Sequence, residues 1–417
     1  MSFREKLTKG PIPWLLALPA ALLLIISRRS DAVFNAQFWA EDGKLWYADA
    51  YNYGALHSLL TPEAGYYQTF SRLAAIFSQP LPLEYAPLFF NILAITIQAV
   101  VAAFIVSGRL GRVIPMLHWR VVLAFIYLAL PHSGEIYANV TNSQWHLALL
   151  AFLVIIAGPS ENRGGRVFDI VAVGISAVSG PLCLLLIPIA VSKYYRKREK
   201  WAIVLCAILA AGALLQGYGL LTTPRPTQAA LGAGPTFFFR ILGRHIFAGP
   251  IFGTNGFEWL DSHRLWKDGS IIIVNLFGLV LAVYAFLKAR FELRLFMIFA
   301  VSIFAVALYS PAVSPVPPQW GAMANSETAI RYWFIPALCV FAVLLFLAAD
   351  AKSRIIRYAA IFTLTLSLIG IVSDWRMTPR EDLGFKQHAR DFETAPTGAE
   401  VRIPINPAGW EMKLIKK

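Results

Sequence analysis

The chain is dominated by long apolar runs that hold hardly a charge, such as 85–107, 201–221, 271–288 and 355–373. An α-helix needs roughly 17 to 25 such residues to cross a bilayer. In hydrocarbon every backbone polar group must be satisfied by the spanning structure itself, which leaves helices and closed barrels. The runs do not alternate with period two, which argues against a barrel. Hydrophobic residues make up 57% of the 417 and charged residues 15%, well under the roughly 25% of soluble domains. The expected fold class is an all-α polytopic membrane protein.

About nine full spans are expected, at 12–27, 85–107, 119–131, 144–158, 201–221, 271–288, 295–310, 331–349 and 355–373. The apolar stretch 168–192 differs, because Ser179-Gly180-Pro181 interrupts it. It leaves halves of about ten to twelve residues, too short to cross at 1.5 Å per residue. The favoured reading is a broken re-entrant pair, tolerated where it lines a cavity or packs inside protein. The alternative is one helix kinked at Pro181. Arg4, Lys6 and Lys9 precede the first run and Arg28 and Arg29 follow it. With no small-residue cleavage site evident, it reads as an uncleaved first helix rather than a signal peptide.

Orientation follows Lys and Arg close to the spans. The net charge of +13 therefore bears on topology and gives no reason to expect nucleic acid. With the N-terminus inside, every short loop on that side is basic, as at Arg109, Arg112 and Arg120, or Lys193, Arg196, Lys197, Arg198 and Lys200. The opposite side then receives the segments 28–84, 222–270 and 311–330 and a tail. That gives a transmembrane domain over 1–373 and a small tail domain over 374–417. In the tail, Phe385, Ala389 and Phe392 have helical spacing, and VRIPI and WEMKL alternate around Asn406-Pro407-Ala408-Gly409. This reads as a helix followed by a four-residue β-hairpin loop. A lone hairpin is marginal in water, so it should dock on the long segments. Cys183, Cys206 and Cys339 fall in apolar runs and form neither a disulfide framework nor a zinc spacing.

Chemistry has few places to sit. Glu41 and Asp42 lie in QFWAEDGKLWYADAYNYG among Phe38, Trp39, Trp46, Tyr47, Tyr51 and Tyr53. A carboxylate there can act as general base on an attacking hydroxyl, with the aromatics raising its pKa and stacking on sugar rings. It can equally mark a helix start inside an interfacial aromatic belt. Next come Tyr66, Tyr67, Gln68 and Arg72, the last two at i and i+4. Arg72 suits a phosphate fork or snorkelling to headgroups. In PTFFFRILGRHIFAGPIFG, Arg240 and Arg244 share a helix face beside His245. That pattern belongs to a helix lying at a membrane interface, where it binds anionic lipid in general or one lipid phosphate in particular. Glu327 and Arg331, with Tyr332, stand at the mouth of a span, where an arginine needs a partner such as Glu327 or a lipid phosphate. His132, Glu135, Asn142, Gln144 and His146 form a polar cluster in a short turn. No Walker A, dinucleotide fingerprint, D-x-D, G-x-S-x-G or H-E-x-x-H is present. An ATP-driven pump and a cytosolic nucleotide-sugar enzyme are thereby disfavoured.

A long loop bearing Ala40-Glu41-Asp42-Gly43 after the first helix, then amphipathic loop helices, many spans and a terminal outer domain resembles the GT-C superfamily of membrane glycosyltransferases. AGYYQTFSRLAA, SGPLCLLLIPI, IRYWFIP and INPAGWEMKL are similar to segments of a bacterial branch of that superfamily. The resemblance implies an inverting transferase of the bacterial inner membrane, multi-pass, with cytoplasmic N-terminus and periplasmic C-terminus. Its donor would be a sugar on a polyprenyl phosphate and its acceptor a cell-surface glycan or glycolipid, with membrane lipids as surroundings and no nucleic acid. It implies Asp42 as base with Glu41 as alternate, and Arg72 and Arg331 at the donor phosphate with help from Arg240 and Arg244. The tail, at about 45 residues, is smaller than the outer domains of many relatives, which leaves acceptor recognition to the loops. A divalent cation beside Glu41 and Asp42 is an option that paired carboxylates allow; no cofactor is otherwise implied. A lipid-linked-sugar transporter would use the same arginines without a base, and a non-catalytic subunit of polysaccharide assembly would have no activity alone.

Overall fold

The computed structural model describes residues 12–223, 229–313, 318–325 and 329–417. It is mostly helical, with one two-stranded sheet near the C-terminus. Among the described residues, five helices are long and apolar enough to cross a membrane: Leu83–Arg112, Lys200–Thr222, Gly269–Lys288, Phe291–Tyr309 and Arg354–Ser373. The other four expected spans are shorter apolar helices, Trp14–Arg28, Leu117–Ala129, Ser143–Ala157 and Phe334–Asp350. Polar or glycine-bearing turns cut them short, as at Gly158, where φ is +78°. A left-handed residue of this kind ends a helix without a Cβ penalty.

The broken stretch is longer than its apolar part. It forms helices Arg163–Val178 and Cys183–Lys197, 16 and 15 residues, because the polar flanks RGGR and KYYRK continue the helical hydrogen bonding. The intervening turn contains Gly180 at φ +144°, where a Cβ would strike the Gln144 amide. Gln144 opens helix Ser143–Ala157, while Lys193 Nζ reaches Ile156 O at that helix's far end, 2.7 Å away. The two helices therefore run up and back along the whole of Ser143–Ala157. At about 24 and 22 Å, they match their neighbour in length, and halves of ten to twelve residues are not what forms.

The chain divides into two compact units. The first takes Trp14–Phe104, Ile136–Pro224 and Met377–Lys417. Its core joins Phe38, Trp46, Tyr47 and Phe90 to Phe385, Phe392, Ile403, Ile405, Met412 and Leu414 of the tail. The hairpin expected from the tail's alternation is present, with Glu400–Ile405 antiparallel to Trp410–Ile415 and Ile405 opposite Trp410. Its inward residues, Ile403, Ile405, Met412 and Leu414, are buried. The hairpin turn is stitched to the stretch before the acid pair: Ala40 N–H donates to Asn406 O at 2.5 Å and Asn406 N–H to Phe38 O at 3.2 Å. Gly43 sits where the two meet, and a Cβ there would lie 3.0 Å from Phe38 Cβ and 3.1 Å from Ile405 Cδ1.

The second unit takes Ile105–Glu135 and Arg225–Arg376. In it, helix Pro235–Ile241 runs into a π-helical turn, Leu242–Ala248, and then into Gly249–Ser262, which is broken at Gly253. The break lets Asp374, at the end of Arg354–Ser373, accept Thr254 N–H at 2.8 Å. Gly370 permits the approach, since a Cβ there would collide with the backbone of 251–253.

Candidate functional site

The structure separates the two adjacent acids. Ala40 at φ +47° turns the chain, and a π-helical turn, Asp42–Tyr47, begins at once. Asp42 points inward and is 1% exposed. Its Oδ2 accepts Val140 N–H at 3.0 Å and its Oδ1 accepts Thr141 N–H at 2.7 Å. Trp46 Nε1–H caps the arrangement by donating to Thr141 Oγ1 at 2.8 Å. Burial pushes the Asp42 carboxyl up to about 7, against its bonds to Thr141 and Val140 and the positive charge of Arg380. Arg380 is itself buried and donates to Gln37 O at 2.8 Å, Asn91 Oδ1 at 3.3 Å and Ala138 O at 3.0 Å. Its burial and the nearby Arg29 lower its pKa to about 9, with Asp42 and Asp31 opposing. Asp42 thus clamps the turn 139–142, and it is Glu41 that remains partly exposed. Because Asp42 is buried with an amide hydrogen on each oxygen, its carboxylate is not presented together with that of Glu41 to a divalent cation. Among the described residues no three His, Cys, Asp or Glu side chains are grouped to hold a metal.

Arg72 is inward-facing too, at 1% exposed. Its Nη1 donates to Asp49 Oδ2 at 2.5 Å and to Ser58 Oγ at 3.4 Å, and its Nη2 to Thr61 O at 3.2 Å. The guanidinium lies 4.6 Å over the Trp46 ring. Its fork is therefore filled from within the chain. Gln68 is buried on the same helix, where its carbonyl accepts Arg72 N–H at 3.0 Å. Tyr66 pairs by backbone with Glu63, at 3.0 and 3.1 Å. Tyr67 is held by Gln216, which accepts its N–H at 2.9 Å and donates to its carbonyl at 3.1 Å. Burial raises the Glu63 carboxyl pKa; Arg72 lowers it, and Asp49 and Glu41 raise it further. Asp49 thus pairs directly with Arg72, and Glu63 feels Arg72, Asp49 and Glu41 together. His146, expected in the exposed polar cluster, is buried. Its Nε2 lies 3.1 Å from Gln98 Nε2 and 3.2 Å from Ile136 O.

In the second unit, Arg240 and Arg244 line one cavity of about 590 Å³, with Asp261, Trp266, Lys267, Ile271, Ala324 and Asn325. The Arg244 guanidinium rests 4.4 Å from the Phe257 ring. The same helical segment lines an apolar cavity of about 540 Å³ through Leu242, Ile246 and Phe247. That cavity is completed by residues such as Phe277, Met297, Phe304 and Phe362 from three long helices, and by Cys339 and Val343 from the shorter Phe334–Asp350. Arg331 pairs with Glu135 through both its guanidinium and its backbone N–H, the latter at 2.9 Å. Its Nη2 donates to Ala312 O at 3.1 Å, and the guanidinium stacks 4.9 Å over Tyr332. Glu327, the partner expected from spacing, lies outside the described residues. His245 is buried against His132.

Asp49, Arg380 and Lys267 escape sequence reasoning. Lys267 sits in a stretch without periodicity, and Asp49 and Arg380 meet their partners only through folding. No protein-family model matches the chain, and no curated protein or solved structure does.

Proposed function

We propose that the protein is an inverting, GT-C-like glycosyltransferase of the bacterial inner membrane. It would move a sugar from a polyprenyl-phosphate donor to a cell-surface glycan or glycolipid on the periplasmic side. The observation that carries the reading is the segment Pro235–Ala248, whose Arg240 and Arg244 face a polar cavity while Leu242, Ile246 and Phe247 face an apolar one. Side by side, the two suit a ligand with an anionic head and a hydrocarbon chain. Nucleotide sugars are cytosolic, so a site facing the periplasm calls for a lipid-borne donor.

In this reading the N-terminus is cytoplasmic and the C-terminus periplasmic. The five long and four shorter apolar helices all cross, and the helix pair Arg163–Val178 and Cys183–Lys197 enters and leaves on the cytoplasmic side. The positive-inside rule favours this arrangement. The base is Glu41, because Asp42 has no open face while Glu41 does. Glu41 takes the proton of the acceptor hydroxyl, whose oxygen bonds to the anomeric carbon. The bond from that carbon to the phosphate oxygen breaks, and polyprenyl phosphate leaves with the electron pair. Asp42 and Arg380 hold the backbone around Glu41. Within the second unit, Arg240 and Arg244 hold the phosphate of a polyprenyl lipid. Arg72 and Arg331 keep their internal partners and act as struts.

The deciding experiment compares surface-glycan masses in a deletion strain carrying wild type, Glu41→Gln or Arg240→Gln/Arg244→Gln at matched membrane levels. Wild type should restore a mass shift of one sugar and both variants should lose it. Restoration by Glu41→Gln alongside failure of the arginine pair would favour a transporter, which needs the anion site and no base.

A further inference from the structure

Two histidine rings are buried against each other in the second unit. His132 Nε2 and His245 Nδ1 are 2.9 Å apart, and the residues are 6% and 0% exposed. His245 Nε2 lies 2.7 Å from Met323 O. A carbonyl only accepts, so that nitrogen carries the hydrogen. Nδ1 of a neutral His245 is then an acceptor, and His132 Nε2 must donate to it. This leaves His132 Nδ1 to accept from the Thr254 hydroxyl at 3.1 Å. The hydrogen-bond chain therefore runs one way, from Thr254 through His132 and His245 to Met323. It has room for one more proton. His132 Nδ1 can take it, because the Thr254 hydroxyl can turn and accept. A proton on His245 Nδ1 would face the His132 N–H. The pair is either neutral or singly charged.

The pair lies one residue along the chain from the lining of the basic cavity at two points. Arg244 immediately precedes His245, and Ala324 immediately follows Met323; both line the cavity. The charged groups around it are of both signs. Asp374 accepts His132 N–H at 2.9 Å and favours an added proton. Arg240 and Arg244, on the segment of His245, and Lys267 oppose it, with Asp261 across the cavity offsetting them in part. Trp333 stacks on His245, with centroids 5.4 Å apart, and brings Arg331 already bound to Glu135. An anion entering the cavity would cancel the opposition of the three cations.

We propose that the His132–His245 pair belongs to the anion site at Arg240 and Arg244 and takes up one proton when a phosphate-type anion enters. The inference rests on the reading of that cavity as a phosphate site. Coupling between sites is reciprocal, so if the anion draws in a proton, a falling pH tightens the anion. The affinity gained is greatest at low pH and is lost as pH rises.

The test is calorimetry on the purified full chain in detergent, with two probes whose charge is constant over the range. These are sulfate and the short-chain phosphodiester lipid dihexanoyl phosphatidylglycerol. Each is titrated in two buffers of different protonation enthalpy, which yields the protons taken up without any variant. Uptake approaching one proton per anion near pH 6.5, with affinity rising about tenfold from pH 8 to pH 6, is expected, a size ordinary for coupled sites. His132→Asn should bind without uptake and with a flat pH profile; Asn tolerates the φ of +55° found at this position. Binding of lipid with no response to sulfate assigns the anion to a lipid headgroup, and equal response to both assigns it to phosphate chemistry alone; either supports the proposal if protons are taken up. Binding that Arg240→Gln/Arg244→Gln abolishes, but with no proton uptake, overturns the proton coupling and leaves the cavity reading intact. No binding of either probe at any pH overturns both.

Discussion

Arg72 and Asp49 form an ion pair at 2.5 Å in which the arginine is 1% exposed and the aspartate 22%. The guanidinium also stacks on Trp46, so three elements of the segment 42–78 depend on one cation. Breaking a buried pair from one side leaves an uncompensated charge and costs about 3–5 kcal/mol. The exposure of Asp49 puts this case at the low end. Arg72→Ala should therefore lower the melting temperature in detergent by several degrees, and Asp49→Ala should do nearly as much. A phosphate-binding Arg72 would behave otherwise, with an unchanged melting temperature and weakened donor binding.

Asp42 gives the molecule a pH dependence whose sign follows from burial. Its folded pKa, about 7, lies above the unfolded value of 3.8, so the folded chain binds the extra proton between those limits. Stability therefore falls as pH rises through that window and is greatest below it. The full effect is on the order of 4 kcal/mol. Melting temperatures between pH 4 and pH 8 should decline in wild type. In Asp42→Asn the profile should be flatter, but lower throughout, because an amide nitrogen would then face the Val140 or Thr141 N–H. A wild-type profile that rises over the window would show the hydrogen bonds from Val140 and Thr141 outweighing burial.

Local pattern made some of this legible and distance in sequence hid the rest. The tail hairpin was readable because Val401, Ile403 and Ile405 alternate against Trp410, Met412 and Leu414 around a turn. The interruption at Ser179-Gly180-Pro181 was readable too. The lengths of the flanking helices were not, since polar RGGR and KYYRK carry no apolar signal yet complete the helical bonding. The pairing of Arg240 with Arg244 survives a change from α- to π-helical geometry because both still line one cavity. Spacing at i, i+4 offers Arg331 the partner Glu327, with a lipid phosphate as the alternative; the partner found, Glu135, is 196 residues away, and no local rule points there. Which acid of Glu41 and Asp42 faces inward depends on the left-handed Ala40 and the docked hairpin, neither of which leaves a mark in the motif itself.

Gly43 tests whether that docked hairpin holds the acid pair. Its Cβ would lie 3.0–3.1 Å from Phe38 and Ile405, one on each side of the junction. Overpacking of a well-filled core costs about 1–3 kcal/mol. In Gly43→Ala the tail should become the first part of the chain cut by protease. Ile405→Val alongside it should restore part of the resistance by removing the atom that clashes. An unchanged digestion pattern would mean that the bonds of Asn406 to Phe38 and Ala40 hold the tail unaided.

The two cavities on Pro235–Ala248 make separable demands on a ligand. A hydrogen bond to a charged group is worth roughly 1.5–3 kcal/mol, so losing Arg240 or Arg244 should weaken a short isoprenyl phosphate about 10-fold or more. The loss should shrink as salt screens the remaining charge. Ala300 lines only the apolar cavity, and Ala300→Phe fills part of it without altering charge. That variant should weaken the isoprenyl phosphate and leave sulfate binding untouched, whereas Arg244→Gln should weaken both. The contrast separates a site that grips an amphiphile through head and chain from a basic patch that attracts any anion. Equal weakening of both probes by Ala300→Phe would mean that the substitution disturbs the helix packing itself, and the chain would then need another place to lie.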